Sequence, residues 1–221
     1  MEVIAGKPSE EVLDYLLRRR SVKVQDICAP GPSKVELDRI LTAAARVPDH
    51  GKLFPFHFMV FEGEAREEVG ALIAESYIKD NPEAREDQVQ AERERFMRAP
   101  TIVGVISRLR PGKHPLWEQL MTAGAAAQNF SLAAHASGYG VVWLSEWYSY
   151  HDDVKAGLGL DERDHIAGFM FLGSIKDAPE ERDRPDMEKI VTHWRKGMAL
   201  NNGDHYDREK FNIPKNKGFS A

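Results

Sequence analysis

Cysteine is nearly absent from this sequence, which has 221 residues and a single cysteine, Cys28. One thiol cannot form an intrachain disulfide or a zinc site built on several cysteines, and it fits a reducing compartment. Residues 1–8 lack the basic start and apolar run of a signal peptide, and the most apolar long stretch, residues 121–136, is interrupted by polar side chains. We therefore expect a cytoplasmic protein with no membrane span.

An excess of positive charge is also missing, since 30 Lys and Arg stand against 35 Asp and Glu and give a net charge of -5. This balance argues against nucleic-acid binding as the main role. The glycine-rich phosphate loop, the Gly-x-Ser-x-Gly elbow and the His-Glu-x-x-His helix are absent as well. Asp152 and Asp153 beside His151 are explained more simply by the start of a helix than by a metal ion. The sequence favours small-molecule ligands and predicts no metal.

Apolar periodicity predicts four strands that alternate with helices, which indicates a sheet covered by helices. The strands lie at residues 56–61, 101–106, 141–144 and 166–172, and the helices at residues 9–20, 33–44, 64–97, 115–137 and from Asp152. Ser33 and Glu36 have the spacing of a capping box, and Asn81 and Pro82 interrupt the charged stretch. Residues 174–221 have few apolar anchors, so we expect a tail or an arm wrapped on a partner.

A first candidate cluster is basic and lies at the end of the first predicted helix. Arg19, Arg20, Ser21 and Lys23 combine three cations with a hydroxyl, a set that suits a dianionic phosphate. The alternative is a helix C-terminus decorated with cations that favour its dipole.

A second cluster, Arg46, Pro48, Asp49 and His50, follows the second predicted helix and precedes the aromatic strand. Such a loop can hold a planar ring, although Pro-Asp also marks ordinary turns.

A third cluster lies around a glycine-bounded strand, where Gly138 and Gly140 precede a buried run that ends at Trp143, Leu144 and Ser145. Ligands bind at strand ends in sheets of this kind, and a purely structural turn is the alternative. The dinucleotide fingerprint is not present, because this Gly-x-Gly precedes a strand instead of opening a helix.

In their order along the chain, these motifs resemble the FMN-dependent nitroreductase family. The resemblance is closest to a small bacterial branch of NAD(P)H nitroreductases with an Arg-x-Pro-Asp-His loop, and it runs from about residue 9 to 194, leaving 195–221 as a C-terminal extension or arm. The matching segments are Arg19-Arg20-Ser21-x-Lys23, Arg46-x-Pro48-Asp49-His50, Pro55-Phe56-His57-Phe58, Trp117-Glu118-Gln119 and Gly138-x-Gly140-x-x-Trp143.

The resemblance implies an α+β homodimer with a nitroreductase-like FMN-binding fold, in which helices flank a mixed β-sheet. The small-residue helix at 115–137 would be the long central helix at the dimer interface, where two FMN molecules lie. The implied activity is ping-pong hydride transfer through FMN, from NADH or NADPH to a nitroaromatic, quinone or related acceptor. The flavin would carry the chemistry, so the resemblance implies no catalytic side chain.

Site residues follow from the same resemblance. Arg19, Arg20 and Ser21 match positions that hold the FMN phosphate and ribityl chain, and Lys23 matches a cation near N1 and O2 of the flavin. Further FMN contacts are implied for Arg46, His50, Trp143, Leu144 and Ser145. A nicotinamide contact is implied for Ala133, Ala134, His135, Ala136, Ser137 and Gly138.

The sequence departs from the family pattern at three positions. Lys52 and Phe54 replace two amides that usually bond the flavin edge, and Leu144 stands where the closest branch tends to carry arginine. These departures prompt an alternative, a catalytically weak flavin-binding or interaction protein on the same fold. Acceptor specificity is expected from the charged segment at residues 75–98, as a lid over the flavin.

Overall fold

The computed structural model describes residue 4 and residues 6–199. Its helices are α1 (Glu10–Arg18), α2 (Lys34–Ala44), α3 (Glu64–Asp80), α4 (Glu86–Arg93), α5 (Leu116–Ala136), α6 (Asp152–Gly157) and α7 (Met187–Ile190), with 3-10 turns at Val24–Asp26, Glu94–Arg98 and Trp147–Ser149. Its strands are β1 (Ile27–Cys28), β2 (Phe56–Glu62), β3 (Thr101–Ser107), β4 (Gly140–Leu144) and β5 (His165–Ile175). Most of the predicted arm at 195–221 lies outside the described residues.

Local sequence signals explain where the first two helices begin and end. The predicted capping box at α2 is confirmed, because the Ser33 hydroxyl accepts from the Glu36 N–H while the Glu36 carboxylate accepts from the Ser33 N–H. Helix α1 begins at a Ser9 cap but ends at Arg18, two residues earlier than predicted, since Arg19 has an extended backbone with φ -60° and ψ 142°. Arg19 and Arg20 therefore lie on the segment after the helix.

The five-stranded sheet is antiparallel at every described pairing, whereas the resemblance implies a mixed sheet. Helices α3 and α4 connect β2 to β3. This pair of helices returns the chain to the end of the sheet where β2 stopped, so β3 runs opposite to β2. The single helix α5 makes β3 and β4 run in the same direction, but β5 lies between them and opposes both. The α+β class and the helices flanking the sheet are confirmed.

The core lies on both faces of β3, whose seven residues are all buried, as its continuous apolar run predicts. On one face Ile102 and Ile106 pack with Phe96 and Phe169. On the other face Val103, Val105 and their neighbours pack against α2 and α5. The sheet thus fixes α5 relative to the strands, and α5 orders the candidate site.

The charged segment at 75–98 ends inside this core. Phe96 is fully buried and its ring lies edge-on to Phe61, Tyr148, Phe169 and Phe171. Apart from Met97, the residues from 92 to 98 around it are charged, so periodicity alone does not predict its burial. Phe96 thus anchors this end of the segment in the core, and a lid formed by residues 75–98 stays a prediction.

Two helical surfaces remain apolar and exposed in the protomer. Helix α1 buries none of its residues in the described chain, and it displays Val12, Leu13, Leu16 and Leu17. Helix α5 displays Trp117 and Met121, and the position of a Cβ on Gly124 has no heavy atom within 4 Å. Among the described residues, no helix is both long and apolar enough to cross a membrane.

Candidate functional site

The basic segment at residues 19–23 lies against the start of β4. The N–H of Val22 donates to the carbonyl of Val141 at 3.1 Å, and the Val22 side chain is buried. This anchoring leaves Arg19, Arg20 and Ser21 partly exposed and Lys23 exposed. The first and third sequence clusters are therefore neighbours, as the resemblance implies.

Two of the three cations in this segment have unused hydrogen-bonding capacity. Arg20 Nε donates to the carbonyl of Glu180 at 3.0 Å and lies 4.0 Å from the Glu181 carboxylate. Arg19 and Lys23 form no side-chain hydrogen bond or ion pair with the described residues. Unpaired cations that are partly desolvated bind anions well, because part of their hydration has already been given up.

A cavity of about 380 Å³ opens beside this segment, at the C-terminal end of α5. Burial and the nearby charge of Arg19 lower the pKa of His135, whose Nε2 is buried without a hydrogen-bond partner in the described chain. None of the described residues that line the cavity is acidic, so it fits a phosphate. Its lining residues are Tyr15, Arg18, Arg19, Arg20, His135, Gly138, Tyr139 and Ile175.

The segment at 133–138, predicted to contact nicotinamide, separates this cavity from a second one of about 330 Å³. Ala133, Ala136 and Ser137 line the second cavity, together with Glu36 and Arg39 of α2. The segment therefore borders two recesses, and a nicotinamide contact there stays a prediction.

The end of β4 displays the third cluster. Trp143 is 38% exposed, and its indole Nε1 donates to the Ala167 carbonyl at 3.0 Å across the sheet. Gly168 allows this approach, because a Cβ there would lie 1.9 Å from the indole nitrogen. Leu144 is partly buried and Ser145 is exposed. A rigid strand end thus presents an indole and a hydroxyl side by side.

Sequence reasoning missed the ion network that fixes the turn after this strand. The Glu146 carboxylate accepts from Arg95 Nη1 at 3.1 Å, from the Tyr148 hydroxyl at 2.6 Å and from the Arg98 guanidinium. Arg95 also donates to Glu92, which accepts from the Trp147 indole at 2.9 Å. The bonds that join residues 92–98 to residues 146–147 connect partners 48 to 55 residues apart in sequence, so no local pattern reveals them.

The electrostatics of this network hold Glu146 in its charged form. Burial raises the pKa of Glu146, but hydrogen bonds from Arg98 and Tyr148 and the charges of Arg98 and Arg95 outweigh burial and leave that pKa below its ordinary value. Burial and the neighbouring carboxylate raise the pKa of Tyr148, so its hydroxyl stays a donor. The turn that follows Ser145 is therefore fixed by charge-assisted bonds.

The second cluster lies along the first two-thirds of α5. Asn129 Nδ2 donates to the Arg46 carbonyl at 2.8 Å, and Thr122 Oγ1 donates to the Pro48 carbonyl at 3.0 Å. His50 Nδ1 lies 2.7 Å from a carboxylate oxygen of Glu118. The Arg46 side chain forms no hydrogen bond or ion pair with the residues that the structure describes.

Along α5 the second cluster is displaced from the basic cavity. It contacts the helix between Glu118 and Asn129, whereas the cavity contacts it from His135 onward. An α-helix rises about 1.5 Å per residue, so Glu118, which contacts His50, lies about 25 Å along the axis from His135, and Asn129, which contacts Arg46, lies about 9 Å from it. One protomer therefore brings Arg19 to Lys23 beside β4, and neither Arg46 nor His50 lines the cavity.

Comparisons with known proteins place this chain in a family. The model of the nitroreductase family matches residues 16–174. A relative from Escherichia coli strain K12, named "Putative NAD(P)H nitroreductase YdjA", is 33% identical over 186 residues, which cover 83% of this chain and all of the relative.

Solved structures show the same fold. A nitroreductase-like family protein from Bacillus cereus superposes with a TM-score of 0.74 at 24% identity, covering 85% of this chain and 98% of its own. A nitroreductase with bound FMN from Bacteroides fragilis superposes with a TM-score of 0.63 at 22% identity, covering 85% of this chain and all of its own.

Proposed function

The chain belongs to the nitroreductase family, and we propose that it is an FMN-dependent oxidoreductase that uses NADH or NADPH to reduce small-molecule acceptors. The cation-lined cavity beside β4 carries this proposal, because it places unpaired Arg19 and the unpartnered Nε2 of His135 around a space that fits a phosphate. The bound FMN of the Bacteroides fragilis structure supports the choice of flavin.

The proposed holding residues fit the parts of FMN by their chemistry. Arg19, Arg20 and Ser21 would bind the phosphate and ribityl chain through charge-assisted bonds. Lys23, exposed and unpaired in the described chain, would provide positive charge where the reduced ring is negative. The rigid end of β4, from Trp143 to Ser145, would position the ring.

FMN, when bound, would supply hydride transfer in two half-reactions, first from the nicotinamide and then to a nitroaromatic, quinone or related acceptor. The residues of this chain bind and orient the reactants, and none of them is assigned as a general acid or base. Arg46 and His50 would complete the flavin contacts.

The separation of the two clusters along α5 supports a homodimer. A two-fold copy packed against the exposed face of α5 brings the Arg46 and His50 loop of one protomer toward the basic cavity of the other. Gly124 lies on this face with open space around its Cβ position, and Trp117 and Met121 are exposed there. The site is completed by the second copy.

A visible spectrum of the purified protein, with NADPH and then NADH added without oxygen, tests the function. We expect flavin absorption bands that bleach on addition of the donor and return on addition of a quinone. Bound flavin that does not bleach would favour the alternative, a catalytically weak flavin-binding protein, which the replaced amides at Lys52 and Phe54 motivate. A protein that takes up no FMN would contradict both.

Replacement of Gly124 by Leu tests the dimer. Since a Cβ at this position has no heavy atom of its own protomer within 4 Å, we expect Gly124→Leu to leave the protomer folded and to obstruct close approach by a partner helix. We expect sedimentation to show monomer and gel filtration to show loss of FMN. Glu67→Leu, which places the same side chain at an exposed position of α3, is the control. A dimeric, flavin-loaded Gly124→Leu protein would contradict the proposed interface.

A further inference from the structure

The loop between α2 and β2 holds an aromatic ring in an unfavourable backbone conformation. Lys52 has a φ of 55° and Phe54 a φ of 51°, a region that residues other than glycine, asparagine and aspartate rarely adopt. The Phe54 side chain is 65% exposed, so burial within the protomer does not offset this cost. Backbone strain at an exposed side chain points to a function of that side chain.

A single carboxylate keeps the loop in this conformation. Asp49 accepts from the Leu53 N–H at 3.1 Å and from the Phe54 N–H at 2.8 Å, and its own carbonyl accepts from the Lys52 N–H at 3.2 Å. Beyond the loop, the Pro55 carbonyl accepts from the Arg108 N–H at 2.9 Å. The Phe54 backbone is therefore fixed on both sides, which fixes the point from which its ring projects.

Other planar groups lie beside this loop. The imidazoles of His50 and His114 stack with centroids 3.6 Å apart and planes 32° apart. Gly51 allows this packing, because a Cβ there would lie 2.5 Å from His114 Cδ2. The loop thus carries an exposed ring four residues after His50, a proposed flavin contact.

We propose that Phe54 determines acceptor specificity, giving a flat apolar surface to planar aromatic acceptors. This inference rests on the proposed function, since it places the acceptor next to the flavin contacts. A phenyl ring cannot make the hydrogen bonds of the amide it replaces, but it stacks on aromatic faces, and the fixed backbone reduces the entropy lost on binding. The strained loop serves to display the ring.

The test compares two acceptors, menadione, which is planar and aromatic, and ferricyanide, which is neither. Phe54→Leu keeps an apolar side chain and the strained backbone but removes the flat ring. We expect its kcat/KM for menadione to fall roughly tenfold, with ferricyanide unchanged, because stacking contributes about that factor. Phe54→Tyr, which keeps the ring, retains the menadione activity.

Lys52→Gly is the matched control, since it relieves a φ of nearly the same value without touching the ring. We expect it to raise the thermal unfolding midpoint of the flavin-free protein and leave the ratio of the two acceptors unchanged. Phe54→Gly raises the midpoint too, but loses the preference for menadione. Strain relief and ring removal are thereby separated.

Three outcomes would overturn the inference: an unchanged acceptor ratio in Phe54→Leu, an equal loss for both acceptors, or dissociation into monomers on sedimentation, which would assign the ring to the dimer contact. These outcomes count against the inference when two conditions are met. The wild-type protein reduces ferricyanide with NADPH, and the variant binds FMN with wild-type affinity. Wild-type protein that reduces neither acceptor would instead contradict the proposed function.

Discussion

The turn after β4 and the loop before β2 both carry proposed flavin contacts, yet they are held in opposite ways. At the turn, Glu146 accepts from Arg95, Arg98 and Tyr148, and all of these side chains are mostly buried. At the loop, one carboxylate, Asp49, supports a strained backbone at the surface. Ser145 therefore lies next to a buried ion network, whereas Phe54 lies on a strained surface loop supported by Asp49.

This contrast separates two requirements of a flavoenzyme site. A cofactor that stays bound needs contacts whose geometry does not change, and buried charge-assisted bonds provide such contacts. An acceptor site has to fit different molecules, and the sequence of a surface loop can vary with little loss of stability in the rest of the fold. We therefore expect substitutions at the turn to affect stability, and substitutions at the loop to affect specificity.

The largest expected effect is that of Glu146→Gln. This substitution removes the negative charge that pairs with the guanidinium groups of Arg95 and Arg98, each of which is less than a third exposed. We expect the free energy of unfolding to fall by about 3 kcal/mol, measured by urea denaturation, because breaking a buried pair on one side costs more than the pair contributes. Asp38→Asn, which breaks the exposed pair with Lys34, should leave the midpoint unchanged. Equal midpoints for both variants would show that the network is solvated.

A smaller effect is expected in the pH dependence of stability. The folded state holds the pKa of Glu146 below its ordinary value of 4.5, so the carboxylate contributes fully above that pH. As the pH falls below about 4.5, the unfolded state takes up the proton first and the contribution is lost. The difference in unfolding free energy between wild type and Glu146→Gln should therefore shrink from pH 6 to pH 3. A constant difference would show that Glu146 is not held charged by the network.

The two regions also differ in how far the sequence predicts them. Apolar runs predict β2 to β5 because burial on a sheet requires them, but the two-residue strand β1 has too few residues to form a pattern. The order of the sheet depends on how many helices join consecutive strands, and the interruption at Asn81 and Pro82 does not by itself predict that the charged stretch folds as two helices. The α+β class nevertheless follows from the pattern and the family motifs.

Site residues on local motifs were predictable, and those joined only by folding were not. The Arg19 to Lys23 segment is a continuous motif, and the structure brings it to β4. Arg98 and Glu146 resemble ordinary surface charges, since nothing in the sequence relates residues 48 positions apart. The strain at Phe54 was equally hidden, because φ depends on the loop as a whole, although the replacement of a family amide marked the position.

The smallest expected change in stability comes from Asp49→Ala, which breaks the link between the strained loop and the ring it displays. Two backbone N–H groups lose their acceptor, but the loop is near the surface, where water replaces part of each bond. We expect a loss of about 1 kcal/mol in urea denaturation. The loop can then relax from the positive φ at Phe54, so the preference for menadione over ferricyanide should fall as far as in Phe54→Leu. Asp49→Asn retains one acceptor oxygen and should lie between wild type and Asp49→Ala. A full preference for menadione in Asp49→Ala would show that the fold presents the ring without this carboxylate, and the contrast between a rigid turn and a supported loop would then not hold.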